Sequence, residues 1–221
     1  MADLQCPTDN GSPSWGVLDL AMWKLVPERF SGGKAYIQGY KDAWVRHNRA
    51  LIKSNAAKQR FPAELLAGVC WIEVGGDPSF IDSVAFNVRA FDWSGPDWVD
   101  RNMTITRQPW RTSFGPVSMQ LGTAAHTMGL DAKTMPMAQL SALANCLQKD
   151  LFNIELVAQH LRQLIDQDGL QTRPPELSPD AVKVAGARYN RGQGLSLEDI
   201  RRNTSYGDFI LGRWSRLTAL L

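Results

Sequence analysis

The sequence predicts a mainly α fold, one helical domain with a small β insertion near residues 80–110. Three observations carry this. Helical periodicity fills most of the 221 residues, with apolar positions returning at i, i+3 and i+4. One stretch, Asp77–Trp110, breaks that rhythm with Asp, Trp, Pro and β-branched residues. Finally, 44% of the chain is hydrophobic, enough to bury a core at this length.

Taken in order, residues 1–14 are polar and carry Pro7, Gly11 and Pro13, the composition of a loose N-terminal arm before a single domain over 15–221. A first helix is expected from Leu18 to Arg29, ended by Ser31-Gly32-Gly33. A long helix follows from about Lys34 to Gln59. Its Tyr36, Tyr40, Trp44 and Leu51 have helical spacing and should face the core; those aromatics could instead line a sugar site. Phe61–Gly76 is the next helix. Within the β stretch, Ser83–Phe91 and Met103–Thr106 suit short paired strands. Helical periodicity returns from Val117 to Met128, then over Met137–Gln167 as one helix or a pair. After a loop at Asp168–Pro179 come a helix near Asp180–Arg191, the Gly192-Gln193-Gly194 turn and a pair of short helices. No internal repeat is visible.

The formal net charge of +2 is too mild to argue for nucleic acid, although it would not repel an anionic polymer. Arg201, Arg202, Arg213 and Arg216 read as a solvated helix face before they read as a phosphate-binding patch. Cys6, Cys70 and Cys146 are too few and too scattered for a disulfide framework or a zinc site. Cys70 and Cys146 fall in apolar helical patterns and are expected as small core residues, with a Cys70–Cys146 bridge as the open alternative. His47, His126 and His160 lack ligand spacing, so neither a metal nor a cofactor is assigned. No segment is apolar for long enough to span a bilayer. The first residues lack a basic region followed by an apolar run, so synthesis in the cytoplasm without a Sec signal is expected.

The most telling stretch is FPAELLAGVCWIEVGG, Phe61–Gly76. Pro62 suits the first helical position and Gly75-Gly76 a helix stop. At roughly 100° per residue, Glu73 falls on the side of Leu66, Val69 and Cys70, facing the interior or a cleft wall. Desolvation and the negative end of the helix dipole both disfavour its carboxylate. A carboxyl kept protonated near neutral pH is what a general acid needs. The alternative is a glutamate fraying into solvent at a helix end.

Further segments then fall into an order. Thr112-Ser113-Phe114-Gly115-Pro116-Val117-Ser118-Met119-Gln120-Leu121 is a small-residue loop running into Met-Gln. Asn153-Ile154 heads a long helix through Leu161 and Leu164 to Gly169. Arg188-Tyr189-Asn190-Arg191-Gly192 and the tail Tyr206–Leu217 follow. With the Glu73 helix, this order resembles the soluble lytic transglycosylase and goose-type lysozyme superfamily over roughly Ala63 to Leu217, a long insertion between the first two motifs apart. In that family serine usually follows the catalytic glutamate and alanine precedes the Tyr-Asn pair; Val74 and Arg188 stand there instead.

The resemblance implies a lysozyme-like fold and cleavage of the β-1,4 MurNAc–GlcNAc backbone of peptidoglycan, with Glu73 as acid and then base. Water as acceptor gives hydrolysis; the muramyl 6-hydroxyl gives a 1,6-anhydro product. A hydrolase would want a second carboxylate. Of Asp77, Asp82, Asp92, Asp97 and Asp100, Asp82 is the first choice, nine residues on, although all five equally suit turns and caps. Ser113, Gln120, Tyr189 and Asn190 are the implied substrate-binding residues, with Tyr189 orienting Glu73 or the N-acetyl group and Asn190 fixing a loop. Trp93, Trp98 and Trp110 either stack on sugars or pack the insertion. A wall-cleaving domain without a Sec signal suggests an exported antibacterial toxin, such as a type VI secretion effector acting in a target cell's periplasm and matched by an immunity protein. A phage-type endolysin and a non-catalytic peptidoglycan-binding domain are the alternatives, with a nucleic-acid binder behind them.

Overall fold

The computed structural model describes residues 6–8, 10–75, 108–171 and 173–221. The fold is mainly α. Among the described residues are eleven α-helices and one two-stranded antiparallel sheet, and no helix is long and apolar enough to cross a membrane. The sheet lies at residues 113–120, within the stretch expected as a small-residue loop. Ser83–Phe91 and Met103–Thr106 lie outside the described residues. The chain divides into two compact units, Met1–Gly39 with Gly75–Asn153, and Tyr40–Val74 with Ile154–Leu221.

In the first unit, α1 (Val17–Leu25) is followed by the opening turns of α2 (Gly33–His47). Tyr36 on α2 donates to Asp19 Oδ1 on α1 at 2.7 Å, and Trp15 lies beside both Trp23 and Tyr36. Strands β1 (Ser113–Phe114) and β2 (Met119–Gln120) then lead into α5 (Leu121–Thr127), and α6 (Met137–Leu147) into the start of α7 (Asp150–Gln167). One expectation is overturned here. Cys146 is not a lone core thiol but is bridged to Cys6, 140 residues away, so the N-terminal arm is tied down. Cys70, the expected alternative partner, is a buried free thiol.

The second unit holds the rest of α2, α3 (Arg49–Lys58), α4 (Ala63–Glu73), the rest of α7, α8 (Pro179–Arg191), α9 (Leu197–Arg202), α10 (Ser205–Leu211) and α11 (Trp214–Leu220). The single long helix expected over 34–59 is interrupted at Asn48, whose side chain donates back to the Trp44 carbonyl at 3.3 Å. The stripe is also turned from the expected one. Ile37, Lys41, Trp44, Val45, Asn48, Ile52 and Ala56 are buried, whereas Tyr36, Tyr40 and Leu51 are half-buried. A lysine thus occupies a core position that apolar counting assigned to its neighbours. The closing pair of helices proves to be three, α9 to α11.

Candidate active site

Helix α4 starts after Pro62, which sits at the N-cap rather than inside the first turn. From Leu65 to Trp71 every residue is buried, so the helix is apolar on all sides, as a central core helix must be. It ends at Glu73. Val74 leaves the helix with extended backbone and Gly75 follows at φ 76°. A helix end leaves its last carbonyls without intrahelical partners. Lys41 of α2 supplies them, its Nζ donating to Trp71 O at 2.9 Å and Ile72 O at 2.6 Å. The ammonium therefore lies at the negative end of the α4 dipole, where a cation is favoured.

Glu73 is held by a residue 133 positions away, Tyr206, whose hydroxyl donates to Oε1 at 2.8 Å. What brings that tyrosine in is a close crossing of α8 and α10. A Cβ on Gly186 would meet Gly207 Cα at 2.8 Å, and one on Gly207 would meet the Lys183 carbonyl oxygen at 2.1 Å. Only two glycines let the backbones approach so closely. Tyr206, next to Gly207, lies with its ring centroid 6.3 Å from that of Tyr189, one turn beyond Gly186. Tyr189 in turn meets the edge of buried His160 at 5.9 Å.

The electrostatics follow from this packing. Desolvation raises the Glu73 pKa, while the Tyr206 hydrogen bond and the Lys41 charge oppose the rise. Burial lowers Lys41 to about 8 against the pull of Glu73 in the other direction. Tyr189 and Tyr206 are both raised well above the ordinary tyrosine range, by burial first and then by Glu73. The outcome is a carboxyl that holds its proton more tightly than usual, faced by phenols that stay neutral.

The sequence-expected residues separate into two groups. Glu73 and Tyr189 come together in the second unit, but Tyr206 rather than Tyr189 makes the bond to Glu73. Asn190 sits in the last turn of α8 and is exposed. The loop after α8 is held by Arg188, at the position where the resemblance implies alanine. Its side chain, 1% exposed, grips Asp168 through Nε at 2.8 Å and Nη2 at 2.7 Å and donates to Leu195 O at 2.6 Å. Ser113 and Gln120 belong to the first unit and pair directly across β1 and β2, on the face opposite buried Phe114 and Met119. Their hairpin is shaped by Gly115 (φ 80°), where a Cβ would meet Leu147 O at 2.0 Å, and by buried Asn153, whose Oδ1 accepts from Val117 N at 2.9 Å. The second and third motifs are therefore joined. Asp82, Trp93 and Trp98 lie outside the described residues; Trp110 is half-buried.

Lys41, Tyr206 and Arg188 were not foreseen as functional or structural keys. Only Arg188 left a signal, as a departure from the family motif. A cavity of about 340 Å³ elsewhere in the second unit, between Lys58, Arg60, Arg162 and Gln171, makes a weaker site because its polar groups satisfy one another. Arg162 is paired with Asp166 and Gln171, and Gln171 donates to Arg60 O. Comparison with known protein families, curated proteins and solved structures gives no match.

Proposed function

We propose that this protein cleaves the glycan strand of peptidoglycan at the MurNAc-β-1,4-GlcNAc bond, with Glu73 as the general acid. The observation that carries the reading is the setting of that carboxyl. It ends a helix buried from Leu65 to Trp71, desolvation raises its pKa, and a neutral tyrosine hydroxyl orients it at 2.8 Å. Protonated Glu73 gives its proton to the glycosidic oxygen as the bond to the muramyl carbon breaks through an oxocarbenium-like state. The carboxylate so formed is stabilised by the Tyr206 hydroxyl and by the Lys41 charge, which both favour the ionised form. It then removes the proton from the attacking hydroxyl. Among the described residues the groups that tune Glu73 are a phenol and an ammonium. Those two suit a one-carboxylate route in which the muramyl 6-hydroxyl attacks and a 1,6-anhydro sugar results.

Purified protein on isolated sacculi, with the soluble muropeptides weighed by mass spectrometry, tests both parts. Anhydro-muropeptides are expected. Reducing ends would instead call for a two-carboxylate hydrolase with Asp82 as the first partner to substitute. No release by folded wild-type protein would leave the non-catalytic wall-binding reading.

The Cys6–Cys146 bridge adds a compartment to the proposal, because disulfides persist in oxidising surroundings and are rare in the cytoplasm. A wall enzyme stapled in this way fits an exported antibacterial toxin that works in a target periplasm and is countered by an immunity protein. Fused to a periplasmic signal peptide in a Gram-negative host, the protein should lyse cells, whereas the cytoplasmic form should be nearly harmless. Lysis by the cytoplasmic form would point to a different target.

A further inference from the structure

Three cations surround the ring of Trp71 near the end of α4. Lys41 Nζ lies 5.4 Å from the ring centroid, Arg213 Cζ 5.4 Å and Arg216 Cζ 5.8 Å. Two of the three have partners. Lys41 donates to the Trp71 and Ile72 carbonyls. Arg216 grips Asp42 through Nε at 3.3 Å and Nη2 at 2.7 Å, and the Trp71 indole N–H takes the same Asp42 Oδ1 at 2.8 Å. Asp42 thereby accepts three hydrogen bonds.

Arg213 is left over. It is half-buried, and its guanidinium lies flat against Phe209, Cζ only 3.4 Å from the ring centroid. Among the described residues its side chain meets no carboxylate. Burial and the neighbouring Arg216 charge both press against its ionisation. A guanidinium whose face is fixed by an aromatic ring and whose N–H edge meets no acceptor among the described residues is preorganised for a planar, bidentate oxyanion.

We infer that Arg213, with Phe209 as its platform, is a carboxylate-binding subsite that recognises the acidic substituent on the muramyl residue of the glycan strand. The inference rests on the peptidoglycan reading above. Phe209 follows Tyr206, the hydrogen-bond partner of Glu73, by three positions on α10, so the platform lies one turn along that helix from the residue that holds the acid. The subsite therefore stands to the side of the acid instead of facing the scissile bond. That suits a group carried on the side of the sugar, since an extended peptide stem reaches about 3.5 Å further per residue. Two sources share this chemistry: a carboxylate of the peptide stem, and the lactyl carboxylate exposed when the stem is removed.

The experiment compares kcat/KM of the wild-type, Arg213→Gln and Arg213→Lys proteins on three forms of one glycan preparation: peptide-bearing strands, amidase-treated strands, and strands whose carboxyls have been converted to amides. Wild-type protein should prefer a carboxylate-bearing form over the amidated form by about tenfold, the scale of one charge-assisted contact. Arg213→Gln should lose that preference while cleaving amidated strands like wild type. The lysine, which keeps charge without the fork, should recover only part of it. Preference for peptide-bearing strands assigns the stem, and preference for amidase-treated strands assigns the lactyl group. Equal wild-type rates on all three forms, or equal losses by the variants on all three, would overturn the subsite. Should wild type cleave none of them, the reaction reading fails by itself. Titration with muramyl dipeptide then decides the subsite: binding that Arg213→Gln abolishes supports it, and no binding at millimolar concentration overturns it.

Discussion

Two of the places where the second unit buries charge treat it in opposite ways. At the end of α8, Arg188 and Asp168 are 1% and 5% exposed, and the pair is bidentate, with the remaining guanidinium edge donating to the Gly192 and Leu195 carbonyls. At the end of α4, Glu73 and Lys41 are close enough to perturb each other, but the ammonium donates to backbone carbonyls and the carboxyl is held by a neutral phenol. The first pair is a clamp. Each charge meets its counter-charge with good geometry, which is the condition under which burial is tolerated. The second is an acid kept away from full compensation, so that its proton is held more tightly and can be delivered. A perturbed, poorly compensated carboxyl is what the proposed general-acid role of Glu73 requires.

The sharpest way to break this contrast is at Glu73. Glu73→Gln keeps the size and the tyrosine contact and removes the transferable proton, so wall digestion should fall by about 10²–10⁴ or more. Stability should move the other way. A carboxyl whose folded pKa is raised destabilises the fold increasingly as pH climbs from its unfolded value through the folded one. Glu73→Gln escapes that loss, and its melting temperature at neutral pH should equal or exceed wild type. Near wild-type turbidity clearing by folded Glu73→Gln protein would sink the assignment.

Arg188→Ala should give the mirror image, a loss of about 3–5 kcal/mol from an uncompensated buried Asp168. Activity should fall only with the folded fraction. Urea unfolding followed by rate measurement per folded molecule checks both parts, and a specific-activity loss in the folded protein would mean that the clamp reaches the chemistry. Replacing both partners with apolar residues, Arg188→Met with Asp168→Leu, should recover much of the stability.

The contrast also explains what could be read in advance. Glu73 was legible because its helix is local: Leu66, Val69 and Cys70 fix its face, and the glycines after it fix its end. Helix class and order were legible for the same reason. Tyr206 was not, since its place beside Glu73 depends on a glycine–glycine crossing between α8 and α10 that no periodicity announces. Lys41 was missed because Tyr36, Tyr40 and Trp44 drew the stripe away from the face that is buried. The Cys6–Cys146 bridge spans 140 residues and joins a polar arm to a helix, with nothing near either cysteine to announce the pairing.

Lys41→Met tests the less compensated pair from its basic side. Burial lowers the folded pKa of Lys41 to about 8, against the ordinary 10.5. Between those values the unfolded chain binds the proton and the fold does not, so wild-type stability should gain as pH rises through that window. The methionine variant should lack this gain, and the difference between the two unfolding curves should widen from pH 8 upwards. Losing the cation also lets the Glu73 pKa rise further. A flat difference between pH 8 and 10 would remove Lys41 from the electrostatics of the site.

Tyr206→Phe should be the mildest change. It removes one hydroxyl, at a stability cost of about 1 kcal/mol, and leaves the ring against Tyr189. The lost hydrogen bond favoured the ionised form of Glu73, so its pKa should climb, and the alkaline limb of the pH–rate profile, where the acid loses its proton, should move to higher pH. The maximal rate should drop about tenfold, because the carboxylate left after proton donation has lost its donor and the acid its fixed orientation. A Glu73 that is merely buried would leave the limb where it is. A tyrosine acting only as packing would leave both rate and limb unchanged, whereas movement of the limb with a partial loss of rate ties the two residues into one reacting pair.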